Sequence, residues 1–383
     1  MTLALALLAA GYGVMFTVLD DFRDRYGISE SSLGLIVATG FFLSFVGQIT
    51  LAPLADRGHA RSLMIGGLLI DVVGLVGMAY GTTLPALLGA RVLMGLGTGM
   101  AYPAIKRVVI LADPEHLGQN LGVLLSADVA GFATGPVISA LTVGPFGLKA
   151  PFLVLAVLTT SVIPFVSRAT FTEAASDASP ERFAVDLIRL RPLAGAIVIG
   201  MAVFLMIGTF DALWAVMMDD LKAPVWMANV GITVFALPLI VLGPIGGRIA
   251  QRHGPFRISS LGLTIGACFI FAYGQLPQAW MLLAIGMFHA LNDGLTITGT
   301  GIAVGLVAPP ERLAAAQGLL GGVQTLTGGL AAMAAGWSYD HFGRSATFAT
   351  SAALMVTLVA IGSRLTGPAW HGRPHAEAVS LAA

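Results

Sequence analysis

The sequence predicts an all-α integral membrane fold of twelve transmembrane helices in two pseudo-symmetric six-helix bundles. Three observations carry the prediction. The mean hydropathy is +0.87, and 56% of residues are hydrophobic and 10% charged, against about 25% charged in an average soluble domain. Apolar runs of about 18–25 residues, the length that crosses a bilayer, recur twelve times. The sequence also repeats itself. The polar hinge Ala52–Arg61 returns 195 positions later as Gly247–Arg257, one residue longer so that its closing arginine stands 196 positions on, and the turn Pro114-Glu115 with Leu117 and Gly122 returns 196 positions later as Pro310-Glu311 with Leu313 and Gly318.

Taken in order, the runs fall near 2–19, 32–53, 62–80, 85–107, 119–141 and 148–167, then 193–217, 227–249, 258–275, 279–305, 313–337 and 346–366. The first run lacks the basic leader of a signal peptide and completes the first set of six, so it reads as a retained helix. The two hinges close the second and eighth runs, and the two Pro-Glu turns open the fifth and eleventh. The longest polar stretch, Arg168 to Arg191, falls at the midpoint and reads as a linker. The predicted parts are therefore a bundle at 1–167, a linker at 168–192, a second bundle at 193–366 and a tail at 367–383. Glycine supplies 48 of 383 residues, and small residues let helix backbones approach closely in a bilayer.

Basic residues set the expected orientation. With the first residue inside, the inner segments collect Arg57, Arg61, Lys106, Arg107, Arg168, Arg182, Arg189, Arg191, Arg248, Arg252, Arg257, Arg312, Arg364 and Arg373, and the outer ones only Arg23, Arg25, Lys149, Lys222 and Arg344. The positive-inside rule then places both termini in the cytoplasm of a cell (inner or plasma) membrane. A net charge of zero with 20 Lys and Arg gives no basic field for a nucleic-acid partner. Cys268 is the single cysteine, which excludes an internal disulfide and a cysteine metal cluster. No G-x-x-x-x-G-K-[ST] phosphate loop is present, and no enzymatic motif stands out. His371 and His375 share i, i+4 spacing in a Gly, Pro and Ala-rich tail, so no metal site is expected there.

Three motifs carry a resemblance. Leu54-Ala55-Asp56-Arg57 with Arg61 resembles the G-x-L-a-D-R-x-G-R-[KR] hinge of the major facilitator superfamily, with Ala52 and His59 in place of its glycines. Arg91-Val-Leu-Met-Gly95-Leu-Gly97-Thr-Gly99 is similar to the family's R-x-x-x-G-x-G-x-G. Gly131-Phe-Ala-Thr-Gly135-Pro136-Val-Ile-Ser139-Ala140 resembles the G-x-x-x-G-P-x-x-G-G pattern of the twelve-helix drug and metabolite antiporters, its last two glycines replaced. The resemblance covers essentially the whole chain and implies a secondary transporter with alternating access.

Each motif also has a physical reading. Asp56, at the end of the second helix, is expected to face the N-terminus of the eleventh, whose unpaired amides and positive dipole end favour an anion. Arg61 is expected to pair with Asp56, and the resemblance implies that such a network latches the outward-facing state; otherwise Asp56, Arg57 and Arg61 only fix topology. Gln251 falls where the second hinge would have its aspartate, which predicts a weaker latch there. Gly131, Gly135 and Pro136 either bend the fifth helix or pack it closely.

Charges inside the membrane are the remaining signal, since one at mid-bilayer costs about 2.5–3.5 kcal/mol on insertion scales and so lines a cavity or has a partner. Asp71, Arg91, Asp128, Asp211, and the pair His289 and Asp293 are candidates for proton coupling. In this reading a desolvated carboxylate binds a proton on one side and releases it on the other, and Arg91 competes with the proton for Asp128 or Asp71. A structural ion pair is the alternative for Arg91; a relay, a substrate contact or a satisfied polar cluster are the alternatives for His289 and Asp293. Tyr102, Trp214, Asn292 and Thr296 are candidate cavity-lining residues, and helix-spaced aromatics such as Phe16, Phe41, Phe45, Phe132, Phe204 and Phe210 line a cavity or pack against lipid. The expectation is a monomeric exporter of a small, partly apolar solute, driven by the proton gradient and without a cofactor. Metabolite uptake by symport or uniport is the alternative within transport, and a non-transporting membrane sensor or assembly partner is the alternative outside it.

Overall fold

The computed structural model describes residues 1–171 and 183–371. Parts of the predicted linker (172–182) and tail (372–383), with Arg182, Arg373 and His375, lie outside the described residues. Helices account for nearly all of the rest: α1 (Thr2–Thr17), α2 (Leu19–Tyr26), α3 (Glu30–Thr50), α4 (Ala52–Leu54), α5 (Ala60–Tyr80), α6 (Leu84–Ala112), α7 (Leu117–Phe146), α8 (Ala150–Arg168), α9 (Arg191–Asp220), α10 (Val225–His253), α11 (Pro255–Gln275), α12 (Ala279–Thr296), α13 (Gly299–Val307) and α14 (Leu313–Leu365).

Among the described residues nine helical stretches are long and apolar enough to cross a membrane. Two of them, Ser32–Tyr80 and Pro310–Leu365, contain a left-handed glycine, Gly58 at φ 83° and Gly343 at φ 76°, where the chain turns back, so each supplies two crossings. A side chain with a Cβ is strained at these angles, which makes glycine the residue for both reversals. The shorter apolar helix Thr2–Thr17 completes the twelve predicted crossings. Lipid solvation explains why the helices lack a polar face. In α8, Phe152, Leu155, Val162 and Val166 are buried, while Phe165, equally apolar, is 77% exposed. One difference from the sequence reading is α2. The polar stretch between the first two predicted runs is a short helix closed by Gly27 in the left-handed region (φ 67°).

The chain divides into two compact units: Met1–Ala112, Ala127–Val185 and Pro310–Gly322 form the first, and Asp113–Ser126, Asp186–Pro309 and Val323–Ala383 form the second. Each unit thus contains most of one repeat plus the opening of the fifth helix of the other. The two reassigned segments are related by the sequence repeat itself.

In the first unit the three glycines after Arg91 set the packing of α6. Gly95 and Gly99 share one face and lie against the backbone of α3 at Gly40 and Ser44, while Gly97 faces α5. A Cβ added at Gly97 would sit 2.6 Å from the carbonyl oxygen of Gly67 and 3.0 Å from the amide nitrogen of Asp71. Backbone cannot move aside as a side chain can, so Gly97→Ala is expected to destabilise the protein by about 1–3 kcal/mol. A lower melting temperature of the purified protein is the readout, and an unchanged one contradicts the packing described. In the second unit Asp113 caps the turn that opens α7, accepting from the His116 amide at 3.3 Å. Hydrogen bonds from His116 and Asn120 hold its carboxyl below the usual carboxylate range.

Candidate functional site

The first hinge turns at Arg57 (φ −95°, ψ 22°) and Gly58, which leaves Asp56 pointing inward, 4% exposed. Its Oδ1 accepts from the Ala314 amide at 2.9 Å and its Oδ2 from the Ala315 amide at 2.8 Å. Those are the second and third residues of α14, whose first amides have no partner within the helix. The carboxylate therefore caps α14 and lies at the positive end of its dipole. The sequence reading placed this anion at this helix start. Its expected partner Arg61 is a correction: Arg107, at the end of α6, makes the ion pair, with Nε 2.8 Å from Asp56 Oδ1 and the two side chains 3% and 6% exposed. Arg61 follows the reversal at Gly58 and turns toward the end of α8. There it donates to the carbonyls of Ser167 and, at 2.8 Å, Ala169, and stacks 4.8 Å over the Phe171 ring. The carbonyls that end a helix are unpaired and partly negative, so they compete effectively for a guanidinium. Arg57 is half-buried at the turn. Arg61→Gln is expected to cost about 1–2 kcal/mol, the scale of charge-assisted bonds at a helix end. A melting temperature equal to wild type would contradict that role.

The second hinge repeats the arrangement with a neutral side chain. Gln251, 195 positions after Asp56, accepts from the Gly118 amide at 2.6 Å and donates to the Glu115 carbonyl at 2.9 Å. Gly118 is the second residue of α7, as Ala314 is of α14. Gly118 also meets the backbone of Gly247, and Gly122 that of Gly243, so α7 and α10 approach at backbone contact there.

Arg91 is fully buried (0%), its Nε donating to the Ile36 carbonyl at 3.2 Å and its guanidinium 4.6 Å over the Tyr12 ring. Tyr12 in turn lies 3.2 Å from the Thr98 hydroxyl. Asp71 is also fully buried, and neither of its oxygens has a hydrogen-bond partner; Nη2 of Arg91 has none either. Among the described residues no ion pair joins Arg91 to Asp71 or to Asp128, and of the two carboxylates expected to feel its charge Asp71 does so through space, without a direct bond. The guanidinium is drawn instead to the aromatic face of Tyr12 and the α3 backbone, where Gly40 leaves room for it.

Asp128 has different partners. The Tyr102 hydroxyl donates to its Oδ1 at 2.6 Å, and Lys106, one turn further along α6, attracts the same carboxylate electrostatically. Tyr102 was read as a cavity-lining candidate and Lys106 only as a topology marker. Their i, i+4 spacing, which puts both on one face of a helix, was the available signal. Gly131 and Gly135 of α7 lie against the backbone of α1 at Ala6 and at Gly13 and Val14. These glycines are closely packed, and α7 runs through Pro136 as one helix. Phe16 packs between Phe41 and Phe132, with ring centroids 6.4 and 6.0 Å away.

In the second unit His289 and Asp293 come together as their spacing predicts, with Nε2 3.5 Å from Oδ2 and exposures of 1% and 3%. Tyr273 OH lies 3.1 Å from His289 Nδ1, and Met206 Sδ 3.2 Å from Nε2. With the ring proton on Nε2, Nδ1 accepts from the tyrosine. Asn292 donates to Asp293 Oδ1 at 3.2 Å and to the Gly262 carbonyl at 3.0 Å, and Thr296 donates to the Asn292 carbonyl at 2.8 Å. Those two cavity candidates are thus engaged in holding the cluster. Aromatic rings surround it: Phe235, Phe269 and Tyr273 lie 5.5, 5.1 and 5.8 Å from the imidazole. Phe210 bridges to Trp214 at 5.2 Å and to Phe235 at 4.9 Å. Trp214 is buried at 2%. The sequence singled out neither Tyr273, Phe235 nor Phe269, because one aromatic on an apolar helix looks like any other. Asp211 stands apart on the exposed face of α9, with no hydrogen-bond or ion-pair partner among the described residues.

Twelve apolar crossings, a repeated hinge that caps a helix in each unit, and charges buried within the crossings define a multi-pass membrane protein built from two related halves. The chain belongs to the Major Facilitator Superfamily, whose family model matches residues 1–213 and 193–379. Among solved structures it is similar to the proton:xylose symporter XylE, with a TM-score of 0.81 at 14% identity over 99% of this chain and 97% of that one. It is also similar to the human organic anion transporter MFSD10, with a TM-score of 0.75 at 14% identity over 94% and 97%. At that identity the likeness is one of fold. A curated relative, the quinolone resistance protein NorA of Staphylococcus aureus (strain MRSA252), is 30% identical over 135 residues, 34% of each chain. The match therefore spans about a third of that relative's length. The chain is a transporter and not an enzyme, and family members of this kind take small-molecule substrates across the bilayer.

Proposed function

We propose that the chain is a monomeric, proton-coupled exporter of small, partly apolar solutes that works by alternating access. Its membrane is the cell (inner or plasma) membrane, with both termini cytoplasmic, and its energy source is the proton gradient. The observation that carries coupling is the Asp128 site: a carboxylate within a crossing, hydrogen-bonded by Tyr102 and attracted by Lys106. A proton and an ammonium are alternative ways of neutralising one buried carboxylate, so binding one weakens the hold of the other. Toward Asp128, Lys106 thereby takes the competing role that Arg91 was expected to have toward Asp128 or Asp71. The aromatic ring around His289 supports an apolar solute with one polar group, since it joins flat apolar faces to a buried hydrogen-bonding pair. Phe235→Ala is expected to change which solutes are carried while coupling persists. The similarity to NorA, a resistance protein by name, supports export.

Inverted vesicles energised by respiration, with and without the protein, test the direction and the ion. Lipophilic drugs and metabolites are added one by one while the pH gradient is followed. Substrate-dependent loss of the gradient only in vesicles that hold the protein is the expected result. No response across the panel, with the protein present, would favour uptake or uniport.

A further inference from the structure

A groove of about 980 Å³ lies in the second unit, lined by Arg252, Arg257, Ser260, Leu261, Ser363 and Trp370 among others, and no acidic side chain lines it. Arg252 and Arg257 are exposed, and neither guanidinium has a hydrogen-bond or ion-pair partner among the described residues. The repeat makes this unusual. Arg257 stands 196 positions after Arg61, and Arg61 is occupied by the carbonyls of Ser167 and Ala169 and by the Phe171 ring. The same position is thus filled from within the chain in one repeat and open in the other. The groove also continues into the apolar zone. Arg257, Leu261 and Thr264 follow i, i+4, i+7 on the exposed face of α11, Leu261 is 61% exposed and Ile265 41%. The Ser260 and Ser363 hydroxyls, 3.1 Å apart, join α11 to α14 at its base.

We propose that this groove holds an anionic phospholipid of the leaflet on that side, its phosphate between Arg252 and Arg257 and an acyl chain along Leu261 and Ile265. Two guanidinium groups with no internal partner match a phosphate diester, which takes paired donors from arginine. The apolar continuation of the same face selects a lipid over a free anion, because a free phosphate has no use for Leu261 and Ile265. A tryptophan at the rim is the residue favoured where apolar and wet surroundings meet.

Native mass spectrometry of the full-length protein in detergent tests the assignment. Phosphatidylglycerol, phosphatidylcholine and inorganic phosphate are added separately to the wild type, to Arg252→Gln/Arg257→Gln, and to Arg248→Gln/Arg364→Gln. The last pair removes the same charge outside the groove. The expected result is a retained phosphatidylglycerol preferred over phosphatidylcholine by on the order of tenfold, given roughly 1 kcal/mol for each basic residue near an anionic headgroup. That preference falls to near unity in the groove pair and persists in the control pair. Equal loss in both pairs would reduce the effect to diffuse surface charge and overturn the site. Displacement of the lipid by millimolar inorganic phosphate, or no preference in the wild type, would overturn it as well. Matching melting temperatures of the two double variants guard against misfolding as the cause.

Discussion

Asp56→Ala is expected to cost about 3–5 kcal/mol of stability, the range found when one partner of a buried ion pair is removed, and to abolish transport. The size follows from what is left behind. Arg107, 3% exposed, would keep its charge without a counterion, and the amides of Ala314 and Ala315 would lose their acceptors. Asp56→Asn restores one acceptor and no charge, so it should fall between alanine and wild type. Removing both charges as Asp56→Ala/Arg107→Met should recover the part of the loss that comes from the unpaired Arg107, because no buried charge is then left without a counterion. It should not recover transport, because the cap on α14 stays absent. The second hinge supplies an internal control. Gln251→Ala removes a neutral cap at the start of α7, and caps of that kind contribute about 1 kcal/mol. A melting temperature of Asp56→Ala equal to that of Gln251→Ala would contradict the charged latch.

Asp128→Asn is expected to remove coupling while leaving solute binding largely intact. Asparagine keeps the shape of the side chain and an acceptor for the Tyr102 hydroxyl, now at 2.6 Å from Oδ1. It cannot take a proton, and it gives Lys106 no anion to be attracted to. Transport down a solute gradient therefore survives and transport driven by a pH gradient falls, by at least about tenfold where proton binding contributes 1.4 kcal/mol or more to the driving step. Lys106→Gln should act in the opposite sense. Without the competing ammonium, Asp128 holds its proton more firmly, and pH-driven transport slows because release is impaired.

The backbone plan was legible because it rests on periodic signals. Twelve apolar runs and two pairs of repeat-related turns are each carried by local sequence, whereas the left-handed glycines Gly58 and Gly343 emerged only in the structure. Asp56 as a helix cap was legible for the same reason, since a repeated hinge beside a repeated helix start defines the contact. Which arginine would meet it was not. Arg57, Arg61 and Arg107 are all long and basic near the same end of the bundle, and the choice depends on where α8 ends. The carbonyls of Ser167 and Ala169 attract Arg61 away from Asp56. Arg91 was legible in part: its charge acts on Asp71 through space, while its direct contacts, the Tyr12 ring on α1 and the Ile36 carbonyl on α3, carry no signal in any one helix. Lys106 was within reach, because Tyr102 lies one helical turn before it. The rings around His289 come from α9, α10 and α11, and no spacing within one helix announces that meeting.

Exchange of a proton for the attraction of Lys106 at Asp128 during transport is open to a single comparison in proteoliposomes. Wild type and Asp128→Asn are assayed for solute counterflow without any gradient and for accumulation driven by an imposed pH difference. Counterflow near the wild-type rate in the variant, with pH-driven accumulation lost, is the expected result. Retention of both would contradict it by removing Asp128 from coupling, and loss of both would contradict it by making the residue a requirement for folding or binding.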